Sequence, residues 1–143
     1  MNSETGSDRA EIAARLAVSV GRLNRRIRAL SELTPGQVSA LSTIDQLGPL
    51  RPGDLARAER VAAPTVTRLL ADLENRGLIV RTADPDDGRS FFLTATEAGA
   101  DSIRRARSER AERVLEVFEE LTDEQIDTLE AALDALEITA GMR

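Results

Sequence analysis

Between Leu50 and Thr96 the apolar pattern of this chain switches from helical to strand spacing in an order that few folds accommodate. Leu50-Arg51-Pro52 leads into a short helix signal, about Gly53 to Glu59, with Leu55, Ala56 and Ala58 on its inner side. Arg60-Val61 makes a turn. Ala62-Ala63-Pro64-Thr65 opens a second helix, about Ala63 to Asn75, in which Val66, Leu69, Leu70 and Leu73 share one face. Gly77 stops that helix. From Leu78 to Thr82 the pattern becomes that of a half-buried strand, Leu78 and Val80 alternating with Ile79 and Arg81. Asp84-Pro85-Asp86-Asp87-Gly88-Arg89 is dense in turn formers and puts Arg89 at the tip, and Ser90 to Leu93 returns as a strand.

Long helix signals frame this stretch. The first, about Asp8 to Leu30, carries Ile12, Leu16, Val20, Leu23, Ile27 and Leu30 as one stripe, with Arg15, Arg22, Arg25, Arg26 and Arg28 largely off it. Thr34-Pro35-Gly36-Gln37 is a capping box with proline at the first helical position. It opens a helix with Val38, Leu41, Ile44 and Leu47 on one face, ended by Gly48-Pro49 as a left-handed cap and a stop. Thr94-Ala95-Thr96-Glu97 is read as a second capping box, opening a helix to about Glu120 with a stripe of Ile103, Ala106, Arg110, Val114 and Val117 or Phe118. Thr122-Asp123-Glu124-Gln125 opens the last helix, with Ile126, Leu129, Leu133 and Leu136 inward. The first and last stripes exceed what so small a centre can cover, and the simplest cover is a second copy. The expectation is a mainly α winged helix-turn-helix with a small β-hairpin wing. Residues 1–143 form a single domain, with 34–96 as the winged part and 8–33 and 98–140 as helices of a homodimer.

Charge and composition narrow the function. The net charge of −6 argues against nucleic acid only if it is spread evenly, and it is not. Every charged residue from Glu116 to Glu137 is acidic, whereas Arg51 to Arg89 balances seven Arg against seven Asp or Glu. Local charge, not the sum, governs phosphate contact. There is no Cys and no His, which removes disulfides, thiol chemistry and the usual transition-metal ligands. Catalytic triads built on those residues are excluded too, and the carboxylates are spread along solvated helix faces without a clustered pair. No catalytic residue, metal site or cofactor is expected. The absence of an apolar run near membrane-span length, and of a signal-peptide layout at the start, points to a cytoplasmic protein that avoids membranes.

Two helices followed by a hairpin can put the second helix in a DNA major groove and the wing in the minor groove beside it. Pro64, Thr65 and Thr67 lie on the exposed first turns of that helix, where Thr can meet a phosphate, a base edge or a thymine methyl. Each has a plain structural alternative as a helix starter or surface residue. Arg68 either pairs with Asp72 four residues on or reads a guanine or phosphate. Asp87 can accept from the Arg89 guanidinium or from turn amides, holding Arg89 out toward a narrow minor groove. Arg76 and Arg81 either bond helix-end carbonyls and pair with Asp84, or contact phosphate. Arg51 is a further phosphate candidate, and Ala63 completes the set at the helix start. The arginine face of the first helix is expected to pair with the acidic last helix.

The motifs Thr65-Val66-Thr67-Arg68, Leu73-Glu74, Gly77-Leu78, Arg81, Asp84-Pro85, Asp87-Gly88-Arg89 and Leu93-Thr94 together resemble the signature of the MarR family of bacterial transcription regulators. The resemblance runs from about residue 8 to residue 139. It implies an obligate homodimer on double-stranded DNA at a pseudo-palindromic operator, most often repressing, with a small aromatic or anionic effector releasing it. The chain departs from the family pattern at Ala62, where Ser or Thr often caps the recognition helix, and at Arg51-Pro52, where a capping Ser or Thr is frequent. Lack of Cys excludes the oxidant-sensing branches, and lack of His speaks against a zinc-sensing one.

Overall fold

The computed structural model describes residues 3–28 and 32–142, and side chains from residue 8 onward. Six helices and one hairpin follow in the order α1 (Ser3–Arg26), α2 (Pro35–Leu47), α3 (Pro52–Glu59), α4 (Ala63–Asn75), β1 (Ile79–Asp84), β2 (Asp87–Ala95), α5 (Glu97–Phe118) and α6 (Asp123–Thr139). Two compact units divide the chain, residues 30–109 and residues 1–29 with 110–143, so α5 contributes to both.

The unit of residues 30–109 closes around a core of Ala40, Leu41, Ile44, Leu55, Val66, Leu70, Leu73, Ile79, Leu93 and Ile103, with Leu50 and Leu78 at its margin. Val66, Leu70 and Leu73 of α4 are inward as the spacing predicts, with Leu69 packed against the core from a partly buried position. Leu47 and Ala58, expected on inner faces, are exposed. Leu47 is 61% exposed, because Gly48 already turns the chain away at the end of α2. Ala58 is exposed on the short α3, which buries only Leu55 fully.

The helix ends follow their caps. Thr34 and Gln37 form the reciprocal box that opens α2, with Thr34 N donating to Gln37 Oε1 at 2.7 Å and Gln37 N to Thr34 Oγ1 at 3.3 Å. Thr122 and Gln125 do the same for α6. Thr94 does not cap α5; it sits within β2 opposite Val80. Thr96 takes that role, accepting from Gly99 N at 3.1 Å and donating to Gly77 O at 2.7 Å. Gly48 is not left-handed either. Its backbone is extended, at φ −64°, and glycine is required there by space, since a Cβ would stand 2.5 Å from the Ile44 carbonyl oxygen. Gly77, after α4, does adopt positive φ, at +70°.

The wing is longer than its sequence signals. β1 and β2 pair antiparallel from Ile79 opposite Ala95 to Ala83 opposite Phe91, and then Asp84 meets Asp87. Pro85 and Asp86 alone make the turn. Gly88, Arg89 and Ser90 therefore have no opposite residue and form a bulge in β2. Arg89 belongs to this bulge, not to the tip. Ile79 is the inward residue of β1, and Val80 is 47% exposed. Leu50 adds a single antiparallel bridge to Leu93, bonded through Leu93 N to Leu50 O at 2.8 Å.

In the other unit, among the described residues, only Ile27 is a buried apolar side chain, at 9% exposure. Ile12, Leu16, Val20 and Leu23 of α1 and Leu129, Leu133 and Leu136 of α6 are all exposed. Leu30, assigned to the same stripe, lies outside the described residues. The expected arginine-to-α6 pairing takes a different form. Arg26 makes a bidentate pair with Glu120, in the turn before α6, and Arg110 donates to Asn24. That pairing holds the Glu120 carboxyl below the usual carboxylate range and raises Arg26. No helix among the described residues is long and apolar enough to cross a membrane.

Candidate nucleic-acid interface

All ten candidate contact residues lie in the unit of residues 30–109, and their bonding separates them into two sets. Arg51, Arg76 and Arg81 are engaged within the fold. Arg51, at the start of α3, pairs with Asp84 and donates to Ser90 Oγ at 2.7 Å, with its guanidinium 4.9 Å from the Phe92 ring centroid. Asp84 is a buried carboxylate, and its second oxygen accepts from Asp86 N at 2.9 Å. A buried carboxylate must be satisfied, and here the turn amide and Arg51 do it. Arg51 thus grips the wing on both strands, at Asp84 of β1 and at Ser90 within the bulge of β2.

Arg81 of β1 pairs with Glu74 of α4 at 2.7 Å and lies 4.6 Å from the Phe91 ring centroid. Arg76, at the end of α4, pairs with Asp72 at 3.1 Å and donates to the Glu32 carbonyl at 3.3 Å. Neither uses Asp84, the partner the sequence suggested for them; Arg51 occupies it. The missed elements of this arrangement are Phe91 and Phe92. Two adjacent aromatics in a chain with three were a legible signal for cation–π anchoring of the arginines on the neighbouring strand and helix.

Arg68 and Arg89 belong to the second set. Both are exposed, and neither makes a side-chain hydrogen bond or ion pair among the described residues. The pairing of Arg68 with Asp72 does not form; Asp72 Oδ2 instead accepts from Arg76 and from Gln37 Nε2. Asp87 accepts from Arg89 N at 3.1 Å, the turn-amide form of the expected contact, which shapes the backbone of the bulge and leaves the guanidinium free. Bulges of this kind re-aim a side chain.

The start of α4 is open. Ala62 is its N-cap and supplies no side-chain hydrogen bond. Ala63, Pro64, Thr65, Thr67 and Arg68 are all exposed around Val66, which is buried. Thr67 Oγ1 donates back to Ala63 O at 3.1 Å, so its hydroxyl is occupied within the helix, whereas Thr65 has no side-chain partner among the described residues.

A cleft of about 710 Å³ lies elsewhere in this unit, lined by Glu32, Leu33, Arg76, Leu78, Ser102, Arg105, Ala106 and Glu109. Among the described residues no group of His, Cys, Asp and Glu could hold a metal ion.

Residues 33–91 match the sequence profile of the MarR family. An uncharacterized HTH-type transcriptional regulator of Mycobacterium bovis is 35% identical over 130 residues, covering 89% of this chain and 91% of that one. A putative transcriptional regulator of Pseudomonas aeruginosa superposes with a TM-score of 0.78 at 29% identity, over 94% of this chain and 96% of that one. A MarR family protein from Bacillus stearothermophilus superposes with a TM-score of 0.72 at 26% identity, over 99% of both chains. The match of residues 33–91 to the family profile, and 35% identity to an HTH-type regulator over most of both chains, make this chain a member of the MarR family of HTH-type transcriptional regulators.

Proposed function

We propose that the chain acts as a homodimer that binds a pseudo-palindromic DNA operator sequence-specifically and represses transcription, with no catalytic role. The observation that carries this reading is the selective freedom of Arg68 on α4 and Arg89 on the wing bulge. Neighbouring arginines Arg51, Arg76 and Arg81 are spent on ion pairs. An arginine left open on a helix that fits the major groove can bond guanine in two places, and one on a wing suits a narrow minor groove. Thr65 and Pro64 stand beside Arg68 as secondary contacts. Arg51 and Arg81 act on this reading as the braces that hold the wing, and Arg76 as a brace at the end of α4.

The exposed stripes of α1 and α6 support the dimer. Apolar faces of this extent on a soluble regulator mark an interaction surface, and an isologous interface needs only one such patch. The cleft, whose lining combines Arg76 and Arg105 with Glu32 and Glu109 beside Leu33, Leu78 and Ala106, is the place where a small effector would bind on this reading. Its binding would release the operator.

Footprinting on a selected DNA site tests the reading. Two recognition helices about 34–36 Å apart protect an inverted repeat with half-site centres about 10 base pairs apart or a multiple of that. Arg68→Ala should weaken operator binding by about 1–3 kcal/mol per half-site and random DNA much less. An asymmetric footprint with equal losses on both DNAs would leave a non-specific binder and refute the operator reading.

A further inference from the structure

A third open arginine stands at the corner between α3 and α4. Arg60 is the only residue other than glycine with positive φ among the described residues, at φ 54° and ψ 43°. Its amide closes the end of α3 by donating to Arg57 O at 3.3 Å, and Val61 N donates to Ala56 O at 3.1 Å. This left-handed closure is the geometry glycine serves best, since any Cβ crowds the backbone there. Nothing in the closure uses the Arg60 side chain. The carboxylates near it in the chain are already taken: Asp54 by Arg57, and Glu59 by the hydroxyls of Ser39 and Thr43 on α2. The guanidinium is exposed and has no hydrogen-bond or ion-pair partner among the described residues.

A strained position occupied by a long, unpartnered cation is poorly explained by folding. Its place in the helix-turn-helix supplies a use. The helix before the turn crosses the DNA backbone, and the helix after it enters the major groove. The turn between them therefore lies over the edge of the groove, where phosphates are. We infer that Arg60 is a DNA-phosphate contact that fixes the register of α4 in the groove, bound by charge and without base preference. This inference rests on the operator-binding reading above.

The experiment uses the full chain on an operator and on random duplex of equal length, titrated over a range of salt. Arg60→Gly relieves the backbone and removes the cation. It should match or exceed the wild type in melting temperature, yet bind both DNAs roughly ten- to hundredfold more weakly at 0.1 M salt, with the slope of log affinity against log salt shallower by about two for a dimer. Arg60→Lys should keep most of the affinity and the slope. Wild-type affinity and slope in Arg60→Gly would overturn the inference. So would a drop in melting temperature in Arg60→Gly that accounts for its weaker binding, since that is a structural role. A wild-type protein that prefers no operator at all would instead strike the operator reading, which Arg60→Gly on random DNA does not touch.

Discussion

The two units of this chain treat their apolar residues in opposite ways. In residues 30–109 the helices and the hairpin converge on side chains that are essentially sealed, such as Leu41, Leu55, Leu73 and Leu93 at 0% exposure. In residues 1–29 and 110–143 the stripes are as regular, yet Leu16 is 43% exposed, Leu133 49% and Ile12 56%. Regular spacing therefore specifies a face and not its burial. The first unit completes its core from its own elements. The second presents a face whose burial awaits another surface, here proposed to be a second copy.

The sharpest way to break this contrast is a charge on the open face. Leu133→Glu should abolish the dimer, since a buried, uncompensated charge costs about 3–5 kcal/mol and two-fold symmetry places it twice. Sedimentation at micromolar concentration should give the monomer mass, and operator affinity should collapse with it. A double-mass species would show that this face is not the dimer interface.

Leu70→Ala and Leu133→Ala compare the two kinds of burial directly. Leu70 is 2% exposed in the chain itself, so its truncation should cost about 2–5 kcal/mol whatever the protein concentration. Leu133→Ala should lower the melting temperature by an amount that shrinks as protein concentration rises, because its loss falls on association. Two concentration-independent shifts of equal size would erase the distinction.

Within the first unit, arginines divide in the same manner. Arg81→Ala removes an ion pair and a ring contact and should cost about 1 kcal/mol of stability. Arg89→Ala should leave melting temperature and dimer mass unchanged while making the salt dependence of operator binding shallower by about one unit per protomer. Unchanged affinity for Arg89→Ala would remove the wing bulge from the interface.

The smallest effect belongs to the Arg26–Glu120 pair. Arg26 lowers the Glu120 pKa, so the pair's contribution is present above the ordinary carboxylate range and is lost as pH falls through the lowered folded value. The melting temperature of Glu120→Gln should lie slightly below wild type at neutral pH and converge with it in acid. A gap that widens on acidification would contradict this sign.

Much of the fold was legible because it depends on local chemistry. The bounds of α4, Ala63–Asn75, follow from proline at the start, the three- and four-residue repeat and Gly77 at the end. The boxes at Thr34 and Thr122 follow from Thr and Gln three residues apart. Misread elements failed where a distant partner decided. Thr94 and Thr96 both satisfy a capping pattern, and the pairing of Thr94 with Val80 is what takes it into the strand. Asp-Asp-Gly reads as a turn, but the ladder continues to Asp84 and Asp87 and confines the turn to Pro85-Asp86.

Among the candidate contacts, sequence alone identified the arginines and could not rank them. Arg68 and Arg76 are both four residues from Asp72, one on each side, and spacing treats them alike. In the structure Asp72 pairs with Arg76 and accepts from Gln37, and Arg68 stands open. Arg51 and Arg89 both lie near the wing, and only the buried Asp84 separates the brace from the free cation. Chain order, caps and helical faces rest on neighbours a few residues apart, so the sequence by itself determined them. Which cation is neutralised and which is left to meet DNA depends on carboxylates and rings brought together from distant segments, and only the tertiary structure decided that.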